Sequence, residues 1–329
     1  MRIVVWVPVP MYKKAILDRI GGASGVELIV IDDPRELGPV LDGAEGMISG
    51  GASKYTAEVA ATIQERGTSL RWFQTVAAGN DGLATHGIRA GVTVTGSGGH
   101  NAPVVAEHAV ALLLSIAHAV PDFVAYKGRH TWGGDFRQRY KSLYGQTATV
   151  LGFGHIGVEI AKRLKGFQIR VLSVTRSGSS HELADESFST KQLHAALAKS
   201  DAVMLALPLT DESRHIVNES ALAAMRRSAY LVNVGRGGLI DQRALAASLS
   251  SGGIAGAAVD VTDPEPLPAD DPLWDAPNLI ISPHCGGGGS TLSPQRLADT
   301  VERNLQRFVA GKALENVLTF PTSSGASRE

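Results

Sequence analysis

Short β-branched and apolar runs alternate with longer segments whose apolar positions recur every three or four residues, along nearly the whole chain. That pattern predicts an α/β protein on parallel sheets, because strands buried on both faces read as unbroken apolar runs. In the first third the predicted strands are Ile3–Val7, Glu27–Ile31, Gly46–Ser49, Trp72–Val76 and Val92–Thr95. Helices over Tyr12–Ile20 and Ala57–Arg66 lie between them, giving one doubly wound unit. A long helix, Ala102–Val120, follows, with Asn101 as its cap and Pro103 in its first turn. Being apolar almost all round, it is expected to be buried.

A second unit starts at Thr147. Its predicted strands are Thr149–Phe153, Ile169–Val174, Ala202–Leu207, Ala229–Val234, Ala255–Val261 and Leu279–Ser282. Six strands with intervening helices match a dinucleotide-binding sheet. Beyond it, a helix from about Pro294 to Ala310 is expected to return to the first domain, and the small polar tail Pro321–Glu329 to fray.

Composition narrows the class. A chain of 329 residues is long enough for two domains, and its net charge of -1 argues against a nucleic-acid-binding surface. The single cysteine, Cys285, excludes an internal disulfide and fits a reducing cytoplasm. The opening run Met1–Pro8 is too short for a secretory signal. The most apolar stretch, Ala109–Val120, falls short of the roughly 20 residues that cross a bilayer. The expectation is a soluble cytoplasmic protein with neither nucleic acid nor membrane as partner.

The sequence Thr149-Val150-Leu151-Gly152-Phe153-Gly154-His155-Ile156-Gly157 places G-x-G-x-x-G directly after a strand and directly before a helix. In that context each glycine has a task. Gly152 allows the tight turn, Gly154 lets the backbone approach a pyrophosphate, and Gly157 lets helix and strand pack closely. His155 and Ile156 then open a helix whose free N–H groups face the phosphates. At the end of the next strand, where NAD-binding folds carry an acidic residue, stand Thr175, Arg176 and Ser177. Two hydroxyls and a guanidinium suit a 2′-phosphate, so NADP(H) is expected to be preferred and NAD(H) to remain usable.

Three further segments fall at successive strand ends: Asn233-Val234-Gly235-Arg236-Gly237, Asp260-Val261-Thr262-Asp263-Pro264-Glu265-Pro266 and Ser282-Pro283-His284. Ligands of doubly wound sheets collect beyond the carboxyl ends of the strands, so Arg236, Glu265 and His284 are candidates to converge. Their chemistry is complementary for hydride reduction of a 2-oxo acid. Arginine anchors a carboxylate, histidine gives or takes a proton, and a carboxylate on the second ring nitrogen orients the imidazole. The ten histidines include no His/Cys cluster at ligand spacing, so no metal is expected.

These segments, with Leu207-Pro208-Leu209-Thr210, resemble the D-isomer-specific 2-hydroxyacid dehydrogenases over nearly the full length. The resemblance implies a Rossmann cofactor domain (101–288) inserted into a flavodoxin-like substrate domain made of both chain ends (1–100 and 289–329). It also implies a homodimer, an Arg236–Glu265–His284 active site, and a small substrate such as glyoxylate or hydroxypyruvate. Ala77, Ala78 and Gly79 would meet the substrate carboxylate, and Trp132 would close the site. Val104, Leu207, Pro208, Val234, Gly235, Asp260 and Gly286 would contact the cofactor. Cys285 and four consecutive glycines depart from the family pattern after His284. The same scaffold also serves phosphite dehydrogenases, formate dehydrogenases (which carry glutamine at the Glu265 position) and nicotinamide-sensing proteins.

Overall fold

The computed structural model describes residues 1–50 and 54–320; the tail expected to fray, Pro321–Glu329, lies outside the described residues. The chain separates into two compact units, Met1–Asn101 with the stretch from Ser290 onward, and Ala102–Gly289.

In the first unit, strands β1 (Arg2–Trp6), β2 (Glu27–Val30), β3 (Gly46–Ser49), β4 (Trp72–Thr75) and β5 (Thr93–Thr95) pair in parallel. Alternation along β1 divides the core. Ile3 and Val5 face helices Pro10–Ile20 and Ser293–Val309, whose Ile16, Ile20, Leu297, Val301 and Leu305 are buried against them. Val4 and Trp6 point the opposite way, toward Leu37, Leu41, Val59 and Ile63. Each such buried aliphatic side chain contributes roughly 1.5–3 kcal/mol, so the returning C-terminal helix is anchored by its apolar stripe.

The second unit holds β6 (Thr147–Leu151), β7 (Arg170–Thr175), β8 (Glu186–Ser189), β9 (Ala202–Leu205), β10 (Tyr230–Asn233), β11 (Gly256–Val259) and β12 (Leu279–Ile281). They form one parallel sheet ordered β12-β11-β10-β9-β6-β7-β8. The strand order reverses direction between β6 and β9, and the crevice beyond their carboxyl ends is where such sheets bind ligands. A short strand β13 (Val317–Leu318) completes the first sheet, antiparallel to β5.

Three features differ from the sequence expectations. β8 adds a seventh strand to the six expected; its sequence Glu-Ser-Phe-Ser is too polar to read as a strand and buries only Phe188. β13 makes the first sheet mixed. The long helix ends at Ala117 rather than Val120, because Ala119 adopts a left-handed φ of 50° and a second helix, Val120–Gly128, leaves at a bend of 63°. No single helix among the described residues is long and apolar enough to cross a membrane.

Candidate active site

The glycine turn follows β6 at the point where the sheet reverses. Gly152 has a φ of 88°, which disfavours side chains, and a Cβ there would stand 2.8 Å from the backbone of Ala206 and Leu207. A Cβ on Gly157 would come within 1.9 Å of the Gly152 carbonyl oxygen, so helix His155–Gly166 packs on the turn only because Gly157 lacks one. Gly154 is different: a Cβ there would meet nothing within 4 Å. Packing does not require that glycine, but a ligand lying against the backbone would. The turn therefore fits a bound pyrophosphate. His155 and Ile156 begin the helix, with His155 exposed and Ile156 half-buried.

At the end of β7 the hydroxyl of Thr175 accepts from the Gly178 amide at 3.0 Å, and Ser177 Oγ lies 2.6 Å from Ser179 Oγ. Both hydroxyls thus shape a turn that presents the exposed Arg176. The exposed Glu212 carboxyl is held below its ordinary range, first by the Thr210 hydroxyl and also by the charge of Arg176. Leu207 and Pro208 follow β9 at the mouth of the same crevice.

Three adjacent strands carry the proposed chemistry. At the end of β10, Asn233 is fully buried; its Nδ2 donates to the Arg236 carbonyl at 2.8 Å and its Oδ1 accepts from the Gly235 amide at 3.0 Å. This clamp fixes the turn through Val234 and Gly235 that delivers Arg236. Gly237 abuts the loop after β11 so closely that a Cβ would fall 2.0 Å from the Thr262 carbonyl. Gln242 ties the same loop down, accepting from the Asp263 amide at 2.7 Å and donating to its carbonyl at 2.9 Å. The Arg236 and Glu265 segments are thereby held against one another.

Glu265 Oε1 accepts from the Thr262 amide at 3.1 Å, and Glu265 Oε2 lies 2.8 Å from His284 Nδ1. His284 itself has a left-handed φ of 49°. Its amide donates to the Asp260 carbonyl at 2.8 Å, which holds this uncommon conformation. The Asp260 side chain, 3% exposed, secures the rest of the loop. It accepts from Ser282 Oγ at 2.6 Å, the Cys285 amide at 3.0 Å and the Gly286 amide at 2.9 Å. A Cβ on Gly286 would come within 2.8 Å of that carboxylate.

The sequence pattern of the D-isomer specific 2-hydroxyacid dehydrogenase NAD binding domain matches residues 110–286. A glyoxylate reductase from Korarchaeum cryptofilum (strain OPF8) is 35% identical over 274 residues, 81% of each chain. The chain belongs to this family. It is an NAD(P)-dependent D-2-hydroxyacid dehydrogenase. Glyoxylate/hydroxypyruvate reductase B from Pectobacterium carotovorum subsp. carotovorum (strain PC1) is 32% identical to the dehydrogenase, over 84% of this chain and 86% of that one. The crystal structure of a D-isomer specific 2-hydroxyacid dehydrogenase family protein from Aeromonas salmonicida subsp. salmonicida A449 superposes with a TM-score of 0.82 at 29% identity, covering 97% and 99% of the two chains.

Other expected residues are more dispersed. Val104 sits half-buried in the first turn of helix Ala102–Ala117. Trp132 is fully exposed, at 103%. In the first unit, Ala77, Ala78 and Gly79 form the turn between β4 and helix Asp81–His86, where the Ala77 amide donates to Thr75 Oγ1 at 3.3 Å. Sequence reasoning overlooked Asn233 as a clamp and His108, whose Nε2 lies 3.2 Å from Asp260 Oδ1 and 3.1 Å from Ser282 Oγ. One signal was available for His108: it stands four residues after Val104, on the same helix face.

Proposed function

We propose that the dehydrogenase reduces a small 2-oxo acid of the glyoxylate or hydroxypyruvate type to the D-2-hydroxy acid, with NADPH preferred and NADH usable. The observation that carries the reading is the His284–Glu265 pair, held beyond the ends of β12 and β11, the latter being the neighbour of β10, which delivers Arg236. Since Nδ1 of His284 faces a carboxylate, that nitrogen carries a proton and Nε2 is left to serve the substrate. His284 Nε2 then protonates the carbonyl oxygen, while Glu265 stabilises the imidazolium that gives up the proton. Arg236 holds the substrate carboxylate through its planar fork. Gly152, Gly154, Gly157 and the helix start at His155 and Ile156 would hold the pyrophosphate, and Val104, Leu207, Pro208, Val234, Asp260 and Gly286 would line the rest of the cleft. When bound, the reduced nicotinamide supplies the hydride.

The small substrate class rests on the relatives named glyoxylate reductase and glyoxylate/hydroxypyruvate reductase B. The NADPH preference rests on the exposed Arg176 between two hydroxyl residues, with no carboxylate in that turn. On the first unit, the turn at Ala77–Gly79 offers amides suited to a carboxylate. Exposed Val120, Phe123 and Val124 on helix Val120–Gly128, with Phe123 against Phe136 and Phe136 against the exposed Tyr140, offer an apolar surface on the second unit that supports a homodimer. Sedimentation equilibrium is expected to give twice the chain mass, and a monomer would overturn that assembly.

Loss of nicotinamide absorbance with glyoxylate, hydroxypyruvate, pyruvate and phenylpyruvate tests the reaction. Turnover of glyoxylate or hydroxypyruvate, faster with NADPH than NADH, is the expected result. Turnover confined to phenylpyruvate would overturn the small-substrate reading, and a preference for NADH would overturn the cofactor reading.

A further inference from the structure

Beside His284 the fold gathers three side chains of a different chemical character. His108 Nε2 lies 3.2 Å from Asp260 Oδ1, and Cys285 Sγ lies 3.7 Å from the same oxygen. One imidazole nitrogen, one sulfur and one carboxylate oxygen all fall within 4.8 Å of each other. Zinc takes this donor set at about 2.0–2.3 Å, and a tetrahedral arrangement at those bond lengths separates neighbouring donor atoms by roughly 3.3–3.8 Å. Two of the separations are thus close to what a single ion needs.

The supports are firm. His108 is on helix Ala102–Ala117, Asp260 follows β11, and Cys285 follows β12. Asp260 is buried and oriented by the amides of Cys285 and Gly286, an outer shell of the kind that positions metal-binding carboxylates. Cys285 is exposed, which opens a route of entry from solvent. Ser282 Oγ, 3.1 Å from His108 Nε2, or a solvent molecule can complete the shell.

We propose that His108, Asp260 and Cys285 form a binding site for a thiophilic divalent cation of the Zn²⁺ class, whose occupancy inhibits the enzyme. As the sulfur–metal bond forms, the Cys285 thiol releases its proton to solvent. His108 binds through Nε2 with its remaining proton on Nδ1. Inhibition follows from position, because the cation draws on the same carboxylate that fastens the loop carrying His284. The cation site does not depend on which 2-oxo acid is the substrate, but its overlap with the cofactor does rest on the proposed cleft.

Ligand-to-metal charge-transfer absorption of Cd²⁺, a spectroscopic stand-in, and equilibrium dialysis of Zn²⁺ test this on the full untagged chain. The expected result is a thiolate–Cd²⁺ band saturating at one ion per chain. Cys285→Ser should abolish the band, and His108→Gln should weaken Zn²⁺ retention by about tenfold or more. Circular dichroism establishes that each variant is folded. Absence of the band in the wild-type chain, or Zn²⁺ retention unchanged in either folded variant, would overturn the site. Zn²⁺ retention unaltered by saturating NADPH would overturn the overlap with the cofactor cleft while leaving the cation site standing.

Discussion

His284 Nδ1 lies 2.8 Å from Glu265 Oε2, and the other oxygen of that carboxylate accepts the Thr262 amide at 3.1 Å. Glu265 is therefore fixed by backbone at one end and fixes the imidazole with the other. Replacing it with glutamine keeps the shape but removes the negative charge that faces the imidazole. Glu265→Gln is expected to lower kcat/KM for glyoxylate about ten- to hundredfold, roughly 1.4–2.7 kcal/mol of transition-state stabilisation. Steady-state kinetics with both enzymes folded to the same melting temperature checks this; unchanged kcat/KM would show that the pair is structural only.

The two glycines that flank His155 and Ile156 separate packing from ligand approach. A Cβ on Gly157 would lie 1.9 Å from Gly152 O, whereas one on Gly154 would touch nothing within 4 Å. Gly157→Ala is expected to lower both the melting temperature and cofactor affinity. Gly154→Ala should keep the wild-type melting temperature and weaken NADPH binding on the order of tenfold, since only the ligand needs that space. Nicotinamide fluorescence titration beside thermal unfolding distinguishes them, and full affinity in Gly154→Ala would contradict the placement of the pyrophosphate.

Arg176 pulls the Glu212 carboxyl down from its ordinary range, after the larger effect of the Thr210 hydroxyl. An anionic neighbour competes with a 2′-phosphate for the guanidinium. Glu212→Gln should therefore raise selectivity for NADPH over NADH a few-fold, and Arg176→Ala should reduce it by about tenfold or more. The ratio of kcat/KM values for the two cofactors measures both effects. A ratio insensitive to Arg176 would remove the basis for NADPH preference.

His100 is 4% exposed, its Nδ1 has no partner among the described residues, and its ring meets Tyr12 edge-on at 5.4 Å. Burial, assisted by the charge of Arg296, pushes its pKa from 6.5 down to about 4. The unfolded chain thus binds more protons than the folded one between those values. Stability contributed by the neutral ring is complete above about pH 6.5 and is lost as pH falls, by about 2 kcal/mol near pH 5. His100→Gln is expected to flatten that dependence in urea unfolding at about pH 7 and pH 5. An equally steep loss in the variant would assign the pH dependence to other groups.

The legible parts of this fold were those whose signal is local. Apolar runs such as Ile3–Val7 and the glycine turn at Gly152–Gly157 declare themselves within a few residues, because burial on two faces and a phosphate turn each demand particular residue types in sequence. β8 escaped notice because an edge strand buries one face only, and Glu186–Ser189 is correspondingly polar. The break after Ala117 escaped because alanine gives no warning of the left-handed φ at Ala119. At the candidate site, the approach of Glu265 to His284, 2.8 Å apart, was legible from their places after successive strands. The links among His108, Asp260 and Ser282 were not, since His108 and Ser282 are 174 positions apart and only the packing of helix Ala102–Ala117 on the sheet brings them together.

The measurement that bears most directly on the proposed mechanism compares His284→Ala with the wild-type chain, reading glyoxylate turnover and NADPH affinity on the same preparations. If Nε2 of His284 donates the proton, kcat falls by about 10²–10⁴-fold while the dissociation constant for NADPH changes little. Wild-type-like turnover in folded His284→Ala would contradict the mechanism outright.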